Sequence, residues 1–206
     1  MKSVSAVETR RGTKGVARAD REAQIVAAGG RLFAARGFTA VAVEEVAAEV
    51  GITKPLIYSY FGSKEGLALA CVRHAGETVA GEVERTAALG EVGLARALVT
   101  LDGLFAVLEP DPWMWRILGL PASGEVAALL TTYAARLRAM SLDGVAELLE
   151  LGGDDDPTDV ALLSEVWSSA LDALVTWWLD HPDEPREQMT ARCARVFDHV
   201  FGRAAS

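Results

Sequence analysis

The chain has 206 residues, of which 50% are hydrophobic and 24% are charged, and its formal net charge is −9. This balance excludes a mainly disordered chain, and the length fits one domain or a small module attached to a larger one. The longest uncharged stretch, residues 126–135, is shorter than the roughly 18 apolar residues of a membrane-spanning helix. The N-terminal segment is charged throughout and lacks the apolar core of a secretory signal. We therefore expect a cytoplasmic protein with no membrane association.

Charge is distributed unevenly along the chain. Residues 1–74 carry 11 Lys and Arg against 7 Asp and Glu, whereas residues 75–206 carry 9 against 22. A basic N-terminal part on an acidic body is typical of a DNA-reading module joined to a regulatory body. Imbalances of this size also occur in proteins that bind no nucleic acid, so the motifs must decide.

Apolar residues recur at three-to-four spacing along the chain, and no segment alternates with a period of two. The pattern predicts an all-α protein. Asp20 and Ser63 are predicted to cap the first and fourth helices, and Gly37 and Gly51 to end the first and second. The nine predicted helices span residues 20–36, 43–50, 53–61, about 63–86, 91–108, 112–120, 125–150, 157–180 and 185–201.

The second and third helices are short and are joined by a glycine turn at Gly51. This is the spacing of a helix-turn-helix, in which the second helix enters the major groove of DNA. Ile57 and Phe61 are predicted to pack inward. The opposite face carries hydroxyl, aromatic and basic groups suited to phosphate oxygens and base edges. The predicted outward face contains Leu56 and the DNA-binding candidates Thr53, Lys54, Pro55, Tyr58, Ser59, Tyr60 and Lys64.

The run AVEEVAAEVGITKPLIYSYFGSKEGL, preceded by REAQIVAAGGRLFAARGF, resembles the N-terminal domain of the TetR (tetracycline repressor-like) family. The resemblance covers about residues 20–71. It implies three DNA-binding helices followed by a larger helical ligand-binding and dimerisation domain. By position, Thr53 opens the recognition helix, and Tyr58, Tyr60 and Lys64 contact phosphates. Lys54, Pro55 and Ser59 fall where the base sequence is read.

The chain departs from the family pattern at the start of the second helix. Val41 and Ala42 stand where Thr or Ser is usual, so a cap or phosphate contact is missing. Glu44 stands where a basic residue is frequent, which turns a carboxylate toward the duplex. DNA affinity is then expected to depend more on the basic N-terminal arm, whose cations are Arg10, Arg11, Lys14 and Arg18. The arm is alternatively a solvated segment.

Two groups of apolar side chains in the body suggest further sites. An aromatic cluster lines an apolar ligand cavity or belongs to the core; it contains Phe105, Trp113, Trp115, Tyr133 and Trp167. The last two helices carry a wide apolar stripe typical of one half of a four-helix dimer interface, with intrachain packing as the alternative. The interface candidates are Trp167, Leu171, Leu174, Trp178, Val196 and Val200.

The sequence contains no motif of an enzyme, a metal site or a cofactor site. Cys71 and His74 are assigned to the core, and Asp156 to a helix cap rather than to calcium. We expect a homodimeric regulator, most simply a repressor released from an inverted-repeat operator by a small apolar or amphipathic effector. The alternative is a helical protein-protein adaptor without DNA-binding activity. The predicted organisation is a basic arm (1–18), a DNA-binding domain (19–66, helix-turn-helix about 42–61) and a ligand-binding and dimerisation domain (67–206).

Overall fold

The computed structural model of the chain describes residues 17–153 and 156–201, the last two as backbone only. Over these residues the chain forms nine helices and no strand, which confirms the all-α fold class. The helices are α1 (Arg18–Arg36), α2 (Val43–Val50), α3 (Lys54–Phe61), α4 (Lys64–Ala87), α5 (Gly93–Leu108), α6 (Trp113–Leu118), α7 (Gly124–Leu151), α8 (Pro157–Leu179) and α9 (Arg186–Phe201).

Two of the three acidic or hydroxyl side chains predicted to cap helices do so in the structure. Ser63 Oγ accepts a hydrogen bond from Gly66 N at 2.9 Å, and Asp156 Oδ1 accepts one from Thr158 N at 2.7 Å, so both predicted caps are confirmed. The prediction that Asp20 caps α1 is wrong. The helix begins two residues earlier, after Ala17, and Asp20 lies in its first turn. A carboxylate there still interacts favourably with the positive end of the helix dipole.

The core is organised around α4, which packs against α1, α5, α6 and α7. Near its start, Leu67 and Cys71 are buried together with Ile25 and Phe33 of α1. Further along, α4 buries Val79 against the body helices. Because one continuous helix carries both sets of contacts, the N-terminal helices and the body share a single core.

A close contact between α1 and α6 adds to this connection. A Cβ placed on Gly30 would lie 2.3 Å from Cε3 and Cζ3 of Trp113, so the indole rests directly on the α1 backbone. Trp113 also stacks on His74 of α4, with ring centroids 5.9 Å apart, and its Nε1 donates to Asp111 Oδ1 at 2.9 Å. Gly30 is therefore required by packing, since any side chain would displace the indole.

No helix in the described ranges combines the length and the apolar character needed to cross a bilayer.

Candidate functional site

The turn between α2 and α3 is fixed by backbone geometry and by a small core. Gly51 adopts a left-handed conformation with φ of 70°, which a residue with a side chain disfavours. Ile52 N then donates to Ala47 O at 2.9 Å, closing the end of α2. Ile57 is fully buried, as predicted, and Val46 of α2 is buried in the same core. These contacts hold α3 against α2 and leave its other face in solvent.

Five of the predicted DNA-binding side chains lie on α3, and the other two flank it, Thr53 as its N-cap and Lys64 as the first residue of α4. Thr53, Pro55, Tyr58 and Ser59 are exposed, and Lys54, Tyr60 and Lys64 are half-buried. Thr53 is the N-cap residue, but its hydroxyl makes no capping bond. The Ser59 hydroxyl donates to Leu56 O at 2.7 Å. Leu56 is 38% exposed beside them, and it offers an apolar surface of the kind that contacts thymine methyl groups.

The cations of this face already have partners within the chain. Lys54 Nζ lies 2.5 Å from Glu44 Oε1 and 5.5 Å from the centre of the Tyr58 ring. Lys64 Nζ donates to Thr39 O at 3.0 Å. The Arg18 guanidinium lies 4.8 Å from the centre of the Tyr60 ring, which places the first residue of α1 beside α3. Sequence reasoning found these residues but not their pairings, because each joins separate segments of the chain.

At the start of α2, Glu45 makes the one capping-box hydrogen bond that needs no hydroxyl at position 42. Glu45 Oε2 accepts a hydrogen bond from Ala42 N at 2.7 Å, and Glu45 Oε1 pairs with Arg36 Nη1 at 2.7 Å. Hydrogen bonds from Arg36 and from the Ala42 backbone hold the pKa of Glu45 below its usual value. Glu45 stands three residues after the cap position, which is the spacing of a capping box and was the available signal.

A cavity of about 970 Å³ lies in the body between α4, α5, α7 and α8. Trp115 and Trp167 line it, as do Leu104, Leu137, Leu171 and Phe197. Trp115 Nε1 donates to Asp172 Oδ1 at 3.2 Å at the wall. Most of the lining surface is apolar. Its polar residues include Thr100, Ser141 and Ser168 and the charged residues Glu84, Arg96, Arg138 and Asp143.

The other three aromatic candidates do not line this cavity. Phe105 is fully buried and packs against Trp178, with ring centroids 4.8 Å apart. Trp113 lies between α1 and α4, as described above. The Tyr133 hydroxyl donates to Glu77 Oε1 at 2.8 Å, on the seam between α7 and α4. Of the five predicted aromatic residues, two therefore line the cavity and three are buried in the core.

The predicted interface residues of α8 and α9 are also divided. Trp178 is buried, because its ring packs on Phe105 and its Nε1 donates to Glu184 O at 2.9 Å. Trp167, Leu171 and Leu174 are half-buried, and Val196 is 48% exposed. The side chain of Val200 lies outside the described residues. Three further apolar side chains of α8 are exposed: Leu162, Val166 and Trp177.

The remaining sequence candidates have structural roles or lie outside the described residues. Cys71 is buried, as predicted, and its Sγ is 3.4 Å from Val26 O. The assignment of His74 to the core is wrong, because its side chain is exposed and only one face of the ring is covered, by the stack on Trp113. In the part of the chain that the structure covers, no group of three His, Cys, Asp or Glu residues could hold a metal ion. The arm residues Arg10, Arg11 and Lys14, and the acidic residues 154–155, lie outside the described ranges.

The glycine turn between α2 and α3, the exposed face of α3 and the larger set of helices packed behind it define a helix-turn-helix protein with a helical body. Residues 25–71 match the family described as "Bacterial regulatory proteins, tetR family". The chain belongs to this family.

Individual relatives agree with this assignment. The chain is 32% identical over 139 residues to the HTH-type transcriptional regulator BetI of Rhizobium meliloti, covering 62% of this chain and 66% of that one. It is 30% identical over 110 residues to the HTH-type transcriptional activator FasR of Mycolicibacterium smegmatis, covering 53% and 49%. The aligned part thus spans about half the length of FasR. These relatives are transcription regulators, not enzymes.

One solved structure extends the similarity of fold over nearly the whole chain. The transcriptional regulator FadR of Bacillus subtilis, in complex with stearoyl-CoA, has a TM-score of 0.68 at 17% identity and covers 85% of this chain and 95% of that chain. At this identity the likeness concerns the fold alone.

Proposed function

We propose that the chain is a sequence-specific DNA-binding transcriptional regulator, most simply a repressor that a small apolar or amphipathic ligand releases from its operator. The observation that carries the proposal is the outward face of α3, where hydroxyl, aromatic and cationic side chains stand together on a helix that α2 and α4 support. A helical adaptor would leave this concentration of groups without a role. The family assignment also favours DNA binding over the adaptor.

The residues of this face divide into two roles. Tyr58, Tyr60 and Lys64 are assigned to phosphates, which position the protein on any duplex. Lys54, Pro55 and Ser59 are assigned to base edges because they lie on the first turns of α3, the part of a recognition helix that reaches the groove floor. Thr53, at the N-cap, has a hydroxyl available for either contact.

Salt-dependent binding of purified protein to its own promoter region tests the phosphate role. Lys64→Ala should weaken binding to all sequences alike and should lower the slope of log K against log salt by about one. The matched control is Arg85→Ala. Arg85 is an exposed cation on the same helix that pairs with Glu82, and its removal should leave the slope unchanged. Equal slopes for Lys64→Ala and the unmodified protein would remove Lys64 from the interface.

The proposed organisation is an arm at residues 1–18, a DNA-binding domain at 19–66 and a body at 67–206. α4 crosses the second boundary without interruption. Lys64 lies at its first turn and Val79 and Val83, further along, line the cavity. A ligand that shifts α4 would therefore move Lys64 and α3, and two half-sites a helical turn apart tolerate little such movement.

The cavity supports an elongated, mostly apolar ligand. Its α7 wall extends from Thr131 to Leu148, a distance of ~25 Å at the helical rise per residue. A single acyl chain in a bilayer leaflet spans about 15 Å, half of the hydrocarbon core. The cavity can thus hold such a chain with room for a polar group. The FadR neighbour was solved with stearoyl-CoA, a ligand of this shape.

Fluorescence titration with saturated fatty acids of increasing chain length, and with a steroid as a compact contrast, tests the ligand class. Trp115→Phe and Trp167→Phe should each remove part of the signal, whereas Trp177→Phe, on the exposed side of α8, should not. The ligand that releases the operator should itself bind more weakly when operator DNA is present. The two affinities should fall by the same factor, typically 5- to 150-fold. A ligand that binds equally well with and without operator would contradict release.

We further propose a homodimer that uses α8 and α9, because both helices leave apolar side chains in solvent. Such a dimer reads an inverted repeat. Val196→Glu should give monomers in sedimentation and strongly reduced operator binding. Leu89→Glu provides the control, since Leu89 is 56% exposed but lies beyond the end of α4. An unchanged dimer in Val196→Glu would remove that part of α9 from the interface.

A further inference from the structure

Glu44 is an acidic residue on the surface proposed to contact DNA. Its side chain extends toward α3, whereas the other two carboxylates of α2 extend toward α1. Glu45 pairs with Arg36, and Glu49 pairs with Arg31 at 2.7 Å, so both are directed toward α1. Glu44 instead pairs with Lys54, the first residue of α3. Its carboxylate is thereby held beside the end of the helix proposed to enter the groove.

Both charged groups of this pair remain accessible to a ligand. The side chain of Lys54 is 41% exposed and that of Glu44 is 58% exposed. The Lys54 ammonium also lies over the Tyr58 ring, which restricts its position. The hydrogen bond from Lys54 holds the pKa of Glu44 below its usual value, so at neutral pH the carboxylate is ionised and only accepts hydrogen bonds.

The pair matches the major-groove edge of one kind of base pair. A G·C pair presents the O6 and N7 acceptors of guanine next to the N4 donor of cytosine. Guanine O6 and cytosine N4 are hydrogen-bonded to each other and therefore lie about 2.9 Å apart. Lys54 Nζ and Glu44 Oε1 are 2.5 Å apart and have the opposite donor and acceptor character. A phosphate, in contrast, would repel the carboxylate.

We infer that Lys54 and Glu44 act together to read one G·C base pair in each half-site. Lys54 donates to guanine O6 or N7, and Glu44 accepts from N4 of the paired cytosine. The inference rests on the proposed function and deepens it. It makes Glu44 a specificity-determining residue, contributed by α2 rather than by the recognition helix.

Selection from a random DNA pool by the purified full chain tests this assignment. The unmodified protein should enrich a motif with an invariant G·C pair in each half-site. The motif selected by Glu44→Gln should have adenine in place of this cytosine, because a glutamine amide pairs with adenine N6 and N7. On matched duplexes, changing this G·C pair to T·A, which puts adenine in the place of the cytosine, should cost the unmodified protein about 5- to 150-fold in affinity, and Glu44→Gln much less.

Glu49→Gln is the matched control, because it makes the same chemical change on the same helix away from α3. It should leave the motif unchanged, and both variants should keep the helical content and melting temperature of the unmodified protein.

Two results would overturn the inference while leaving DNA binding intact. One is an identical motif for the unmodified protein and Glu44→Gln. The other is a uniform rise in affinity of Glu44→Gln for all duplexes, which would make the carboxylate a simple repulsive charge. Failure of the unmodified protein to enrich any sequence would overturn the proposed function itself, and the inference with it.

Discussion

Substitution of Gly30 by alanine tests the direct contact between α1 and α6. The new Cβ would lie 2.3 Å from two ring carbons of Trp113 and 2.6 Å from a third, so the indole must move. The indole is restrained by its hydrogen bond to Asp111 and by the stack on His74. Overpacking of a tight core costs about 1–3 kcal/mol, and three short contacts place this site at the upper end. Alanine recovers about 1 kcal/mol of helix propensity.

The expected net loss of unfolding free energy in Gly30→Ala is therefore about 2 kcal/mol, or roughly 4–8 °C in melting temperature for a chain of this size. Gly81→Ala is the control. A Cβ on Gly81, also inside a helix, would meet no atom within 4 Å, so this variant should gain about 1 kcal/mol. Both are measured by thermal unfolding in far-ultraviolet circular dichroism at one protein concentration. A Gly30→Ala protein as stable as Gly81→Ala would refute the tight contact.

Three shorter predictions concern titratable and capping groups. Hydrogen bonds from Tyr133 and Arg136 hold the pKa of Glu77 below its usual value. The resulting stabilisation is present at pH above the pKa of an unfolded glutamate and is lost as the pH falls through the lower pKa of the folded state. Glu77→Gln should flatten this part of the acid dependence of urea unfolding, and an unchanged profile would contradict the assignment. Burial raises the pKa of Cys193 to about 11 and raises that of Cys71 further. At neutral pH a disulfide reagent should therefore label both thiols only as fast as the chain opens, and rapid labelling of the native protein would show that they are not buried. Ser63→Ala should lower the unfolding free energy by about 1 kcal/mol through loss of the α4 cap, whereas a variant of equal stability in the same urea titration would show that the cap contributes nothing.

Local patterns predicted most of the fold because they determine where helices begin and end. The apolar spacing that contains Phe33, Val46 and Ile57 located the first three helices, and Gly51 and Ser63 marked ends that the structure contains. Asp20 was assigned wrongly as a cap because an acidic residue is equally favourable in the first turn. The sequence offers no signal to separate these two positions.

Contacts between distant segments could not be predicted in the same way. Periodicity indicates that Phe105 and Trp115 are apolar positions of their helices, but not that Phe105 faces Trp178 while Trp115 faces a cavity. The same applies to the surface of α3. Lys54 and Lys64 were identified as cations, yet their partners Glu44 and Thr39 come from the preceding segments. Such pairings depend on how helices cross, which one-dimensional patterns do not contain.

The packing of Trp113 against Gly30 limits where the chain can be cut or fused in protein engineering. A fragment ending at residue 66 would keep α1 but lose both Trp113 and the buried side chains of Leu67 and Cys71 that cover it. The inner face of α1 would then be bare, and the fragment would associate or unfold. Grafting this DNA-reading module onto a foreign sensor body therefore requires a chimera that carries the first half of α4 together with an α6 equivalent. A simple exchange at the apparent domain boundary would join two incomplete cores.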